Sequence, residues 1–134
     1  MKYKVKSLSA MTVACAVALC FGTAAAQSYP TKAVRLIIPF PPGGSNDIVA
    51  RMVTNEMSAK WGQKMVVENR TGAGGTVAGA VVAKSPADGY TLLLATVAPL
   101  VVQPSVNTAL PYDAARDFAL VAEGGAGPLF AAQI

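Results

Sequence analysis

Val34-Arg35-Leu36-Ile37-Ile38-Pro39-Phe40-Pro41-Pro42-Gly43-Gly44-Ser45-Asn46-Asp47-Ile48 is the stretch whose reading decides the fold. Its first five residues form a nearly continuous apolar run, the pattern of a strand buried on both faces of a parallel sheet. The prolines and glycines that follow end the strand in a stiff loop. Ser45 or Asn46 is then expected to cap a helix. Asp47 in its first turn suits the positive end of the helix dipole, and local capping is its expected role. Ile48, Val49, Met52, Val53, Met57 and Trp61 recur at helical spacing and are expected on one buried face, with Met52, Met57 and Trp61 in the core. Arg51, Glu56 and Lys60 fall between them and read as a solvated face. Gly62 stands where such a helix would stop.

The alternation continues outward from this unit. Residues 64–69 read as a second strand, 70–75 as a second glycine-rich loop, and 76 to about 84 as a helix with small side chains that allow close packing. Ser85-Pro86-Ala87-Asp88-Gly89 is a turn, because proline disfavours helix at Ser85 and glycine tolerates a left-handed backbone. Residues 90–95 make a third buried strand, followed by Thr96-Val97-Ala98-Pro99. The turn at Pro111-Tyr112-Asp113 leads to a fourth strand near 118–122. Residues 128–134 begin another apolar strand, and the chain is expected to stop there short of a finished domain. Strands spaced by helix-length segments imply βαβ units with right-handed crossovers and an α/β sheet.

Ahead of this domain lies an export pattern. Lys2, Lys4 and Lys6 precede an apolar run from about Leu8 to Phe21, and Thr23-Ala24-Ala25-Ala26 supplies the small residues of an A-x-A cleavage site. Residues 1–26 are therefore expected to be a cleaved secretory signal peptide. A membrane anchor needs roughly 20 apolar residues, more than this run contains. A lipoprotein site at Cys15 or Cys20 fits less well, since Leu19 is too large to precede a lipidated cysteine.

Removing that leader changes the composition. The chain has 11 basic and 7 acidic residues, and the three leader lysines leave 8 against 7, a net charge of +1. The basicity thus belongs to export, and no nucleic-acid partner is expected. Both cysteines go with the leader, so neither a disulfide nor a thiolate metal site is expected. The chain contains no histidine. That rules out Ser-His-Asp and Cys-His catalysis and histidine metal sets, and no metal or cofactor is expected. The 108 residues after the leader suffice for one modest domain.

Ligands of open α/β sheets bind beyond the carboxyl ends of the strands. Three loops fall there, at residues 39–46, 70–75 and 96–99. Their glycines suit close backbone approach to an anion, and they suit simple tight turns equally well. Gly72-Ala73-Gly74-Gly75-Thr76-Val77 lacks the third glycine of a dinucleotide loop, and Gly43-Gly44-Ser45 lacks the lysine of a phosphate loop. Nor is Gly44-Ser45 a nucleophile elbow, which needs glycine at Asp47. For Arg70 a surface or loop-bracing role is the leading expectation, with a ligand role the alternative.

The assembled motifs resemble one family. Tyr29-Pro30, Lys32 and Val34 through Gly44, then Asp47-Ile48 and Ala50-Arg51, are similar to the opening of the Bug-type receptors, substrate-binding proteins of tripartite tricarboxylate transporters. The similarity continues through Trp61-Gly62-Gln63, Val66-Val67-Glu68-Asn69-Arg70, Gly72-Ala73-Gly74-Gly75, Asp88-Gly89-Tyr90-Thr91-Leu92-Leu93 and Leu110-Pro111-Tyr112-Asp113. The resemblance implies an α/β, periplasmic-binding-protein-like fold of two domains. Residues 27–134 would form an incomplete N-terminal lobe, with a mainly parallel sheet, flanking helices and no second domain in this chain.

It also implies a periplasmic receptor, not an enzyme, that binds a small carboxylate and delivers it to the membrane permease subunits of the transporter. The ligand-binding candidates it implies are Phe40, Pro41, Gly43, Gly44 and Ser45 in the first loop. Gly74 and Gly75 in the second and Thr96 and Ala98 in the third complete the set. The family commonly has a glycine- and threonine-containing stretch after the third strand, whereas this chain keeps only the Thr96 hydroxyl there. One alternative is a small exported α/β enzyme acting on a small-molecule acid, against which the absence of histidine and of a carboxylate pair argues; another is a truncated product, from a frameshift or early stop, with no function alone. N-terminal sequencing of periplasmic material is expected to begin at Gln27, and material retaining the first 26 residues would refute cleavage at Ala26.

Overall fold

A computed structural model describes residues 28–123 and 129–133, so the expected leader and residues 128 and 134 lie outside the described residues. Strand β1 (Val34–Ile38) is flanked on both sides by parallel partners. On one side lies β2 (Met65–Asn69), in register from Val34↔Met65 to Ile38↔Asn69; on the other lies β3 (Thr91–Ala95), from Arg35↔Thr91 to Ile37↔Leu93. The apolar run predicted this double pairing. Val34, Leu36, Ile37 and Ile38 are all fully buried, and every residue of β3 is buried.

The full sheet has the order β2-β1-β3-β5-β4, with β4 at Phe118–Glu123 and β5 at Leu129–Gln133. β5 is antiparallel to both β3 and β4, so four of the five strands point one way. The expectation of repeated βαβ units holds as far as β4, which runs parallel to β3, and fails at β5. Only residues 124–128 join β4 to β5, and a parallel return needs a crossover of a dozen residues or more.

Helix α1 (Ser45–Trp61) covers one face of the sheet and α2 (Thr76–Ala83) the other. Val34, Leu36, Ile38, Leu92 and Leu94 pack with Ala50 on the α1 side, while Ile37, Leu93 and Ala95 pack with Ala78 and Val82 on the α2 side. Small residues on α2 permit close contact, as expected. The Tyr112 ring lies so near Gly79 that an added Cβ would come within 2.7 Å of it.

Two expectations for α1 are corrected. Neither Ser45 nor Asn46 caps it: Gly44 occupies that position, and no side chain makes a capping bond. The buried stripe is also rotated. Met52 is 65% exposed, and Ile48 and Val49 are exposed, whereas Asp47, Ala50 and Thr54 face the sheet. Met57 and Trp61 remain at the core margin as expected. Buried hydroxyls on this face are satisfied locally: Thr54 donates to the Arg51 carbonyl and Ser58 to the Thr54 carbonyl, while Ser58 Oγ accepts the Met65 N–H. The helix ends at Gly62, left-handed at φ 65°, whose N–H donates to the Ser58 carbonyl.

On the sheet surface Glu68 accepts two bonds from Arg35, at 2.7 and 3.0 Å, and one from Arg70 at 3.2 Å. Of the roles expected of Arg70 the surface one is observed, an exposed pair with Glu68 two residues earlier. The Arg35 bonds, with the weaker contribution of Arg70, outweigh partial burial and hold the Glu68 carboxyl below its ordinary range.

Two predictions follow from this packing. Leu93→Ala should cost about 2–5 kcal/mol in urea unfolding, the usual range for a fully buried leucine, whereas Met52→Ala should stay within about 0.5 kcal/mol. Comparable losses at both sites would restore the helix orientation read from periodicity. Because the folded Glu68 carboxyl titrates below its unfolded value of 4.5, its contribution to stability is present above that pH and lost as pH falls through the folded value. Between about pH 7 and about pH 3, Glu68→Gln should therefore lose less of its urea midpoint than the parent does; equal losses would contradict the pairing.

Candidate functional site

The order β2-β1-β3 means that the chain leaves β1 in opposite directions on its two sides. The crevice between such strands, at their carboxyl ends, is the ordinary ligand position of open α/β sheets. A cleft of about 330 Å³ lies there. Its walls are Pro39, Phe40 and Pro41 after β1, Thr71 through Gly75 after β2, and Thr96, Ala98 and Pro99 after β3. Six of the nine expected ligand residues meet in it: Phe40, Pro41, Gly74, Gly75, Thr96 and Ala98. Gly43, Gly44 and Ser45 do not line it.

The geometry explains the separation. Gly43 is the left-handed residue of the first loop, at φ 83°, and its N–H donates to Asp47 Oδ2 at 2.9 Å. That amide was expected to face a bound anion; it is already taken by a carboxylate of the chain itself. Gly44 has an ordinary extended backbone, and an added Cβ there would meet only the Pro41 carbonyl at 3.5 Å. The demand for glycine thus falls on Gly43.

Asp47 is 3% exposed and is the anion at the start of α1. Its Oδ2 also accepts Arg51 Nε at 2.9 Å, and its Oδ1 accepts Asn69 Nδ2 at 2.9 Å. These bonds, Arg51 first, hold its carboxyl far below the usual carboxylate range. Arg51 was expected on a solvated face. Although half exposed, it bonds Asp47 and, at 3.3 Å, Asn69 Oδ1.

The second loop forms a single 3₁₀ turn, Ala73–Gly75, before α2 begins. Gly75 has φ 92°, and a Cβ there would press within 3.2–3.3 Å of Pro99 and Pro39. It is the point at which the loops after β1 and β3 close on the second loop. A side chain at Gly74 would run into the Gln103 amide. Thr71, Gly72 and Ala73 also line the cleft, as do Pro39 and Pro99, and none of the five was among the expected ligand residues. The signal was present in the second loop's glycine spacing, which marks the whole segment and not only its last two glycines.

The third loop enters a π-helical turn, Ala98–Val102, that runs into the short helix α3 (Gln103–Val106). Tyr112 braces this turn by donating its hydroxyl to the Pro99 carbonyl at 2.6 Å. Thr96 Oγ1 is buried with no hydrogen-bond partner. A buried hydroxyl left unpaired costs free energy, on the order of 1–3 kcal/mol, so it marks a place where a polar ligand atom would be stabilised. No residue lining the cleft, among the described residues, carries an ionisable side chain. An acid bound here would meet hydroxyls, backbone groups and the start of α2, which favours an anion by roughly 0.3–1 kcal/mol.

Similarity to known proteins agrees with this geometry. The model of the tripartite tricarboxylate transporter family receptor matches residues 49–129. Protein BugT of Bordetella pertussis is 45% identical over 105 residues, which cover 78% of this chain and 32% of BugT. A UPF0065 protein of Bordetella bronchiseptica is 42% identical over 105 residues, covering 78% of this chain and 31% of its own length. Among solved structures, one described as a periplasmic transporter is 52% identical with a TM-score of 0.67, covering 70% of this chain and 32% of its own. MatC from Rhodopseudomonas palustris, solved with bound malate, is 36% identical with a TM-score of 0.64, and R. palustris Rpa4515, solved with adipate, is 40% identical at 0.66. Each of these two matches covers 69% of this chain, and 32% and 31% of the respective relative. The chain spans about a third of the length of the curated relatives it matches. On the family match, the shared strand–loop signatures and the superposed fold, this chain belongs to the receptor family of the tripartite tricarboxylate transporters.

Proposed function

We propose that this chain forms the ligand-gripping part of a periplasmic receptor that binds a small carboxylate and delivers it to the membrane permease of a tripartite transporter. The observation that carries the reading is the buried, unpartnered Thr96 hydroxyl in a cleft at the carboxyl ends of three parallel strands. Similar proteins solved with malate and adipate support the ligand class. In this reading Thr96 Oγ1 and the backbone around Gly74, Gly75 and Ala98 hold one carboxylate, while Phe40, Pro41 and Pro99 pack against the carbon chain. Gly43, Gly44 and Ser45 serve by shaping the first loop rather than by touching the acid.

The neutral lining suits capture and release better than transformation. A carboxylate held by hydrogen bonds alone keeps its charge and leaves without breaking a buried ion pair. A second lobe would supply the opposite wall and most of the discrimination among acids, in keeping with the greater length of the relatives. The reading includes export, with the leader removed after Ala26.

Titration of the chain with acetate, malate, adipate and citrate is expected to show saturable uptake of at least one of them without chemical change. Thr96→Val should weaken that uptake by about tenfold or more, the loss of a hydrogen bond to a charged group, and should leave the melting temperature at or above the parent's. Undiminished affinity in the folded variant would exclude Thr96 from the site. Turnover of any acid would favour an enzyme instead.

A further inference from the structure

Asp47 and Asn69 lie outside the cleft, yet they hold the loop that forms one wall of it. Asn69, the last residue of β2, sits in register with Ile38 at the end of β1. Its Nδ2 donates to the Phe40 carbonyl at 3.0 Å and to Asp47 Oδ1 at 2.9 Å. Asp47 in turn accepts the Gly43 N–H. The first loop is thereby gripped at Phe40 and again at Gly43. Only Pro41 and Pro42 lie between those points, and a proline ring locks φ near about −65°. Pinning both ends leaves this segment little torsional freedom, and it carries Phe40 and Pro41 into the cleft. Arg51 closes the cluster by bonding both Asp47 and Asn69.

We infer that Asp47, Asn69 and Arg51 form a positioning clamp that sets the Phe40–Pro41 wall of the cleft, so that ligand affinity depends on three residues that never touch the ligand. The binding consequence rests on the carboxylate-receptor reading; the effect on the loop does not. The clamp also explains the roll of α1. Turning Met52 and Ile48 inward would carry Asp47 away from Gly43 and Asn69, leaving a loop amide and the Asn69 side-chain donor without this acceptor.

The test compares the full chain with Asn69→Leu, Arg51→Ala and Arg51→Lys, and with Val82→Ala as a stability control in the α2 core far from the loop. Amide exchange at Gly43 and Gly44 is followed by NMR, and malate and adipate are titrated calorimetrically. Asn69→Leu and Arg51→Ala should speed exchange at Gly43 and weaken acid binding about tenfold, the loss expected when the binding-competent loop is populated only about a tenth of the time. Val82→Ala should melt earlier yet keep its loop exchange and affinity. Arg51→Lys, which retains a cation on Asp47, should recover most of the affinity lost in Arg51→Ala; this surface pair keeps the test valid if Asn69→Leu fails to fold. Loop exchange in Asn69→Leu and Arg51→Ala no faster than in Val82→Ala would overturn the clamp, as would unchanged affinity. If the parent takes up none of acetate, malate, adipate and citrate, the receptor reading fails, and exchange at Gly43 alone decides the clamp.

Discussion

The cleft depends on β1 being hydrogen-bonded on both sides by parallel strands. A strand with two parallel neighbours in a sheet covered by helices is mostly apolar: Val34, Leu36, Ile37 and Ile38 are buried, and Arg35 alone reaches the surface, where it pairs with Glu68. Parallel pairing also brings the carboxyl ends of β1, β2 and β3 to the same edge of the sheet. Three loops that are 30 or so residues apart in sequence are thereby forced to be neighbours. Antiparallel β5 starts beside the end of β3, with Leu129 opposite Ala95.

The first level of organisation is hydrophobic, and the second is polar. Burial of the central strands sets which elements stack, but it leaves the roll of α1 undetermined, because that helix has apolar residues around most of its circumference. Asp47 resolves the ambiguity. A carboxylate in a nearly buried position is costly unless its acceptor sites are filled, and only one orientation of the helix offers it Gly43, Asn69 and Arg51 together. Several exposed methyl-rich side chains are the consequence. The stronger constraint is the one whose violation leaves a charge unpaired.

Electrostatics also divides the two helix starts. At α1 the favourable potential is already satisfied by Asp47. The start of α2 opens on the cleft through Gly74 and Gly75 and carries no acidic residue in its first turn. With Thr96 Oγ1 unpaired across from it, the polar demand of the cleft comes from neutral groups. Directed hydrogen bonds are what such a cleft can offer a ligand, and its shape comes from the proline and phenylalanine wall.

Strand and helix positions were legible in the residues alone, because apolar runs, prolines and glycines act over a few neighbouring positions. The three loops at the strand ends, the stop at Gly62 and the turn at Gly89 all follow from such local signals. Position along the chain could not distinguish cleft from support: Gly43 and Gly75 look alike in sequence, yet one amide bonds Asp47 while the other residue is wedged between Pro39 and Pro99. The roll of α1 was decided by tertiary structure, and with it the isolation of Gly43 through Ser45 from the cleft. Both need Asp47 to meet Asn69, 22 residues further on, and a hydrogen bond across such a distance leaves no periodic trace in the chain that makes it.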